Sequence, residues 1–288
     1  MPPLIYSDGD FVESAAISTA DHGALFGAGF FESFRTRSGV PARLDAHLAR
    51  LHAACEKIGI RIPGTHLAAS ADPARWTPVL RRLAESAGLG DAVFRLTVTA
   101  GAFPGLPGAG DYAAPHEWIV CRPLPPAAPD TGVTLHRLKT VRDTGEWSPR
   151  PKSLNYLNSL LAARELAPLR RHPADEGLMC DAAGAVSEGV HMNLFWKTGD
   201  TVFTPEESTG LLPGIGRARL LAALRNAGLP VKEVRAGSDT PAGADAVVLV
   251  SSVRGVVPVA RLADAGTVYH EFTDVTNRTA ELARLFEG

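Results

Sequence analysis

The chain breaks at one place. From Arg122 to Asp130 it reads Arg-Pro-Leu-Pro-Pro-Ala-Ala-Pro-Asp, with four prolines in nine residues. Each proline lacks an amide proton and fixes its own φ, so the stretch can sustain neither a helix nor a central strand. It runs extended and separates the segments on either side of it. The 288 residues are therefore expected to form two domains. A small N-terminal α/β domain occupies 1–122, a linker 123–132, and a larger β-rich domain with helices 133–288. The predicted fold class is α/β with α+β character.

Local patterns fill in both parts. Leu4-Ile5-Tyr6, an Asp8-Gly9 turn and Phe11-Val12 predict a hairpin. Residues 30–36 read as a strand with one apolar and one polar side. Leu44, Leu48, Leu51, Cys55 and Ile58 recur at helical spacing, with Asp45 in the first turn. A second helix is predicted over 74–86, closed by Gly88, and strands over 93–99 and 118–121. Beyond the break, strands are expected near 133–137, 176–180, 192–197, 201–203, 231–235 and 246–251. Helices are expected over 153–169, 215–227 and 274–286.

Composition excludes several functions. Lys+Arg 29 against Asp+Glu 31 gives a net charge of −2, so no basic field argues for nucleic acid or an anionic membrane. Arg81-Arg82 and Arg170-Arg171 lack interleaved aromatics and read as solvated helix faces. No apolar run could span a bilayer, and residues 1–8 show no basic-then-apolar leader, so a cytoplasmic location is expected. Cys55, Cys121 and Cys180 are an odd count without CxxC spacing and read as buried thiols in a reducing compartment. The nine histidines show no ligand spacing, and no metal is expected. GxSxG, GxxxxGK[ST] and HExxH are all missing.

Three segments carry chemistry. Lys152 stands in Pro151-Lys152-Ser153-Leu154-Asn155-Tyr156. A lysine is by default solvated, yet Leu154, Tyr156, Leu157 and Leu160 predict that it adjoins a buried helix. Burial would free the neutral amine as nucleophile and base. Glu188 stands 36 residues later in Val186-Ser187-Glu188-Gly189, read as a short polar turn just before an apolar strand. Third, Gly210-Leu211-Leu212-Pro213-Gly214-Ile215-Gly216-Arg217 opens a helix. Free amides there, with the helix dipole behind them, suit a dianion, although such a turn is by default an ordinary cap.

In this order the segments resemble the class IV aminotransferases, the fold-type IV pyridoxal-phosphate enzymes, from Asp21 to about Pro258. The resemblance implies the two-domain architecture of that family and pyridoxal 5′-phosphate as cofactor. By position, Lys152 matches the lysine that holds the cofactor as a Schiff base and then shuttles protons. Glu188, followed by Gly189 and Asn193-Leu194-Phe195, matches the acid that keeps the pyridine nitrogen protonated. Tyr156 matches the phenol at the cofactor's 3′-oxygen. Arg50, Ile215, Gly216, Ser251 and Ser252 match the phosphate ligands, and Leu212 the residue packed on the ring. Many members carry a threonine or serine where this chain has Gly216, so one hydroxyl contact is missing.

The substrate would be a small molecule bearing an amino group. Phe31, Ser33, Arg35, Arg95 and Arg254 are the candidate substrate residues, the arginines for carboxylates. Thr99-Ala100-Gly101 replaces the Thr-Arg-Gly of D-amino acid transaminases and lacks their bidentate arginine. Ser33, in Phe31-Glu32-Ser33-Phe34-Arg35, supplies the hydroxyl found there in 4-amino-4-deoxychorismate lyases; branched-chain aminotransferases commonly carry glycine. The leading expectation is such a lyase. Branched-chain-like transamination to a 2-oxo acid is the alternative, and a catalytically idle ligand-binding relative a third. The resemblance also implies a homodimer, with 23–29 and 103–107 as loops that help close the site.

Overall fold

The computed structural model describes residues 3–108 and 110–288; Met1 and Pro2, which begin the stretch read for a leader, and Ala109 lie outside them. Two compact units emerge. One comprises the chain up to Leu124 together with Lys152–Asn155, the other Pro125–Pro151 with Tyr156–Gly288. Neither helix nor strand occurs between Pro123 and Val133. The sequence reading puts Lys152 in the larger part. The structure groups it with the first, because the backbone of 152–155 pairs with a strand there.

In the first unit the elements are β1 (Ile5–Ser7), β2 (Asp10–Val12), α1 (His22–Phe26), β3 (Gly29–Arg37), β4 (Val40–Pro41), α2 (Leu44–Lys57), α3 (Pro73–Ser86), β5 (Ala92–Thr99) and β6 (His116–Pro123). The six strands form one sheet in the order β2-β1-β6-β5-β3-β4, antiparallel throughout. Strand alternation sends Glu32, Phe34 and Thr36 to one face of β3 and Phe31, Ser33 and Arg35 to the other. The first face carries the core. Phe34 stacks on Phe94 with centroids 6.1 Å apart and meets the edge of Trp76 at 5.9 Å. Helix α2 buries Leu44, Leu48, Leu51 and Cys55, four of the five residues its spacing predicts; Ile58 is the cap beyond Lys57 and is half-buried. Helix α3 starts on Asp72, whose side chain accepts from Ala74 N–H, with Pro73 in the first turn.

The second unit contains β7 (Val133–Arg137), α4 (Leu157–Leu166), β8 (Glu176–Cys180), β9 (Val186–Gly189), β10 (Asn193–Thr198), β11 (Thr201–Pro205), α5 (Ile215–Asn226), β12 (Val231–Val234), β13 (Ala246–Ser251), β14 (Gly255–Asp264), β15 (Thr267–Glu271) and α6 (Val275–Glu287). Its sheet runs β12-β11-β10-β13-β14-β7-β8-β9, with β15 added on β14. Val247 and Leu249 of β13 join Leu194 and Trp196 of β10 in one core, while Val248, Val250 and Phe195 pack on α5 and α6 in another. Burial on both faces explains the unbroken apolar run of β13.

The helix predicted over 153–169 begins only at Leu157, since Lys152, Ser153 and Leu154 are bonded to β3. Leu157 and Leu160, expected to be buried, are exposed. Helix α4 turns Ser159, Ala162 and Leu166 inward instead, and Ala162 and Leu166 pack with Leu138, Met179 and Val190.

Candidate active site

The lysine segment lies against β3 through a single antiparallel bridge, Ser153 opposite Phe30. Phe31 N–H donates to Lys152 C=O at 3.0 Å, and Leu154 N–H donates to Gly29 C=O at 3.0 Å. That approach requires Gly29. A Cβ there would come within 2.7 Å of Val98 O and 2.8 Å of Leu154 Cδ1, closer than real contacts allow. Gly29, read from sequence as the end of the closing loop 23–29, is thus the first residue of β3 and admits the lysine segment.

Lys152 Nζ lies 4.7 Å from the centroid of the Phe31 ring, and the Arg95 guanidinium carbon 3.6 Å from the same centroid. Both distances fall within cation–π range. Ser33 pairs with Arg95 across β3 and β5, and Phe31 with Thr97. Lys152, Phe31, Ser33, Arg35 and Arg95 are therefore brought together at one sheet face. Of the three predicted carboxylate-binding arginines, Arg254 belongs to the other unit, where Nη1 donates to Pro126 O at 2.8 Å.

On the opposite face of β3, Glu32 is buried and grips two residues of α2. Arg50 donates to it through Nε at 2.8 Å and Nη2 at 2.7 Å, a bidentate fork. His47 Nδ1 lies 2.7 Å from Oε2. Burial alone would raise the Glu32 pKa. The Arg50 charge and the hydrogen bonds from His47 and Arg50 outweigh it and hold the carboxyl at about 2, against 4.5 in its ordinary state. The folded-state pKa is depressed, so Glu32 stabilises the protein fully above pH about 4.5 and progressively less as pH falls toward about 2. Urea midpoints measured between those limits should fall more steeply for the wild type than for Glu32→Gln. Equal slopes would refute this. The phosphate arginine of the sequence reading is thus already fixed by a carboxylate from the strand beneath it.

The second unit holds the remaining residues. Glu188 lies in strand β9, opposite Met179 of β8 and buried, not in the polar turn that its neighbours suggest. The turn comes earlier, where Asp181 accepts from Ala183 and Ala185 N–H. Arg142 Nε lies 3.2 Å and Arg150 Nη1 3.7 Å from Glu188 Oε1. Asn193 Nδ2 donates to Glu188 Oε2 at 3.2 Å and to Leu212 O at 2.9 Å. Asn193 thereby ties the acid to the turn that opens α5. Tyr156 immediately precedes α4 and accepts from Leu160 N–H through its backbone carbonyl.

Helix α5 begins after Gly214 with no side-chain cap, and Ala218 N–H to Gly214 O at 2.9 Å is the bond that starts its ladder. The amides of Ile215, Gly216 and Arg217 thus precede the intrahelical bonds and point outward from the helix start. A Cβ on Gly216 would meet Ser251 C at 2.7 Å and Ser252 N at 2.9 Å. The absent side chain draws the end of β13 and its two hydroxyl residues against those amides. This donor set of backbone amides and serine hydroxyls, at the positive end of a helix, fits a phosphate dianion.

Sequence reasoning missed Arg142 and Arg150. An arginine is by default solvated, and only the folded partner strand reveals that Arg142 is buried. Cys55 is buried, whereas Cys121 and Cys180 are partly exposed, and all three are free thiols. No helix among the described residues is long and apolar enough to cross a membrane.

The family model described as amino-transferase class IV matches residues 29–262. An aminodeoxychorismate lyase of Bacillus subtilis (strain 168) is 31% identical over 261 residues, 90% of this chain and 86% of that protein. A branched-chain aminotransferase from the archaeon Thermoproteus uzoniensis, solved with norvaline, superposes with a TM-score of 0.79 at 23% identity. The match covers 99% of this chain and 95% of that one. A T.th. branched-chain aminotransferase, solved with pyridoxamine 5′-phosphate, gives 0.77 at 24% identity over 100% and 93%. The α/β fold predicted from sequence is the one these structures share.

Proposed function

The chain belongs to the class IV aminotransferases, a family of pyridoxal-phosphate enzymes, and from that premise we propose that it is a 4-amino-4-deoxychorismate lyase releasing 4-aminobenzoate and pyruvate. The observation that carries the choice is the similarity to a lyase over 90% of the chain. Ser33, whose backbone stands opposite Arg95 in the sheet, supports it from the residues by supplying a hydroxyl.

Pyridoxal phosphate, when bound, supplies an electron sink for the carbon that loses its proton. The protein's own groups do the rest. Lys152 Nζ would hold the cofactor, give way to the substrate amine and then take the proton from the amine-bearing carbon. Glu188 would hold a proton at the ring nitrogen, and the Tyr156 hydroxyl would bind the 3′-oxygen. The amides of Ile215 and Gly216, the hydroxyls of Ser251 and Ser252, and Arg50 are the groups that would hold the phosphate, and Leu212 would pack on the ring. Arg95 and Arg35 take substrate carboxylates from the Phe31 face. Arg254, anchored on Pro126, is the third arginine offered to that substrate.

Purified protein loaded with cofactor and mixed with aminodeoxychorismate should release 4-aminobenzoate without any amino acceptor. Transfer from an amino-acid panel to 2-oxoglutarate, with no 4-aminobenzoate formed, would overturn the lyase reading in favour of a transaminase.

The same reading includes a two-copy assembly in the cytoplasm. Leu25 and Phe26 of α1, Leu106, and Leu157, Leu160 and Leu161 of α4 are 48% to 78% exposed. Apolar side chains in such sets favour cover, and closed two-fold dimers dominate among soluble oligomers. Sedimentation at micromolar protein tests this, and a fully active monomer would refute it.

A further inference from the structure

The Arg142 guanidinium is about as enclosed as a charged group can be, with a side chain 1% exposed, and its contacts divide between two elements. Nε lies 3.2 Å from Glu188 Oε1, while Nη2 donates to Gly189 O at 3.3 Å. Both belong to β9. Nη1 donates to Asn158 Oδ1 at 3.0 Å and to Ser159 Oγ at 3.2 Å, in the first turn of α4. Asn158 Nδ2 returns a bond to Val141 O at 2.8 Å, and Arg142 N–H donates to Cys180 O at 2.7 Å. The backbone around Arg142 is thus locked to both α4 and β8.

We propose that Arg142 is a positioning residue that sets the plane of the Glu188 carboxylate and the start of α4 as one piece; this rests on the reading that Glu188 serves the ring nitrogen. Oε1 faces Arg142 and, farther out, Arg150. Asn193 holds Oε2 from the other side. A carboxylate gripped at both oxygens presents one edge in one direction. Arg142 meets Oε1 with Nε alone, and its Nη groups, bound to Asn158, Ser159 and Gly189 O, hold the guanidinium plane in place beside the carboxylate; a lysine ammonium has no such plane to hold. Tyr156 stands two residues before Asn158, so the same guanidinium fixes the helix start that carries the proposed phenol.

A buried arginine beside a carboxylate can also serve stability alone, and the test must separate the two roles. Four proteins are compared: wild type, Arg142→Met, Glu188→Gln and the double variant. If Arg142 acts through Glu188, Arg142→Met lowers kcat by about 10- to 100-fold, the scale for an outer partner of a functional group. In the Glu188→Gln background the same change costs about 3-fold or less, because coupled sites are not additive. The pH midpoint of the loaded protein's visible absorption band shifts in Arg142→Met, and shifts no further when Glu188→Gln is added. Equal losses in both backgrounds, or an unmoved midpoint, would overturn the inference. If Glu188→Gln alone changes neither kcat nor the band, the underlying assignment of Glu188 has failed instead. Should Arg142→Met not fold, Arg142→Lys keeps the charge without the plane. It is then expected to move the midpoint in the same direction, and a wild-type midpoint and kcat would count against the proposal.

Discussion

Lys152→Ala leaves the protein folded and without measurable turnover, and borohydride treatment of the native, cofactor-loaded protein fixes the cofactor to Lys152. The loss should reach about 10³-fold or more, because one substitution removes both the nucleophile and the proton carrier. Folding should survive. The contacts that seat this segment on β3 are made by backbone groups, Lys152 C=O with Phe31 N–H and Leu154 N–H with Gly29 C=O, which alanine keeps. Added small amines should restore part of the proton transfer, since a mobile base can enter the space that the side chain leaves. A reduced adduct on Lys139 or Lys57 would sink the assignment.

Glu188→Gln is expected to retain cofactor but lose about 10²-fold in kcat, the range for a positioned acid–base or electrostatic group. The amide keeps the shape of the carboxylate and discards its charge. A second effect accompanies the first. Arg142 and Arg150 lose the counter-ion that both approach, and stranding a buried ion costs about 3–5 kcal/mol. That figure is an upper bound here, since the amide oxygen still accepts. The variant should therefore also unfold at lower urea. Unchanged turnover would mean that another acid serves the ring nitrogen, whatever happens to stability.

What the sequence disclosed has a physical division behind it. Helix α2 is legible because burial on one face writes a period of 3.6 into the chain, whereas β3 is buried on both faces and is marked by its aromatic run rather than by alternation. The start of α4 is not legible. Leu154, Leu157 and Leu160 have helical spacing, yet Ser153 and Leu154 are committed to β3, a partner more than 100 residues away in the sequence. Glu188 was found by its neighbours and misplaced in conformation, since a four-residue strand with serine, glutamate and glycine carries no strand signature. Arg142 and Arg150 left no local trace at all. Strand β14 is hard to read because Pro258 interrupts it, although that proline sits where β14 pairs with β13. Motif order thus disclosed which residues carry chemistry, while tertiary pairing decides what holds them.

The grouping of Lys152–Asn155 with the first unit has a practical bearing on dissecting the chain. A fragment ending at Leu124 contains every strand of its sheet but omits the backbone that Gly29 and Phe31 bond. It would leave one carbonyl and one amide of β3 open at an edge, an invitation to stray pairing. A cut after Leu124 therefore does not excise a self-sufficient module. A synthetic peptide centred on Lys152 is the missing complement, and a permuted chain that fused 152–155 directly onto the first unit would restore its native edge.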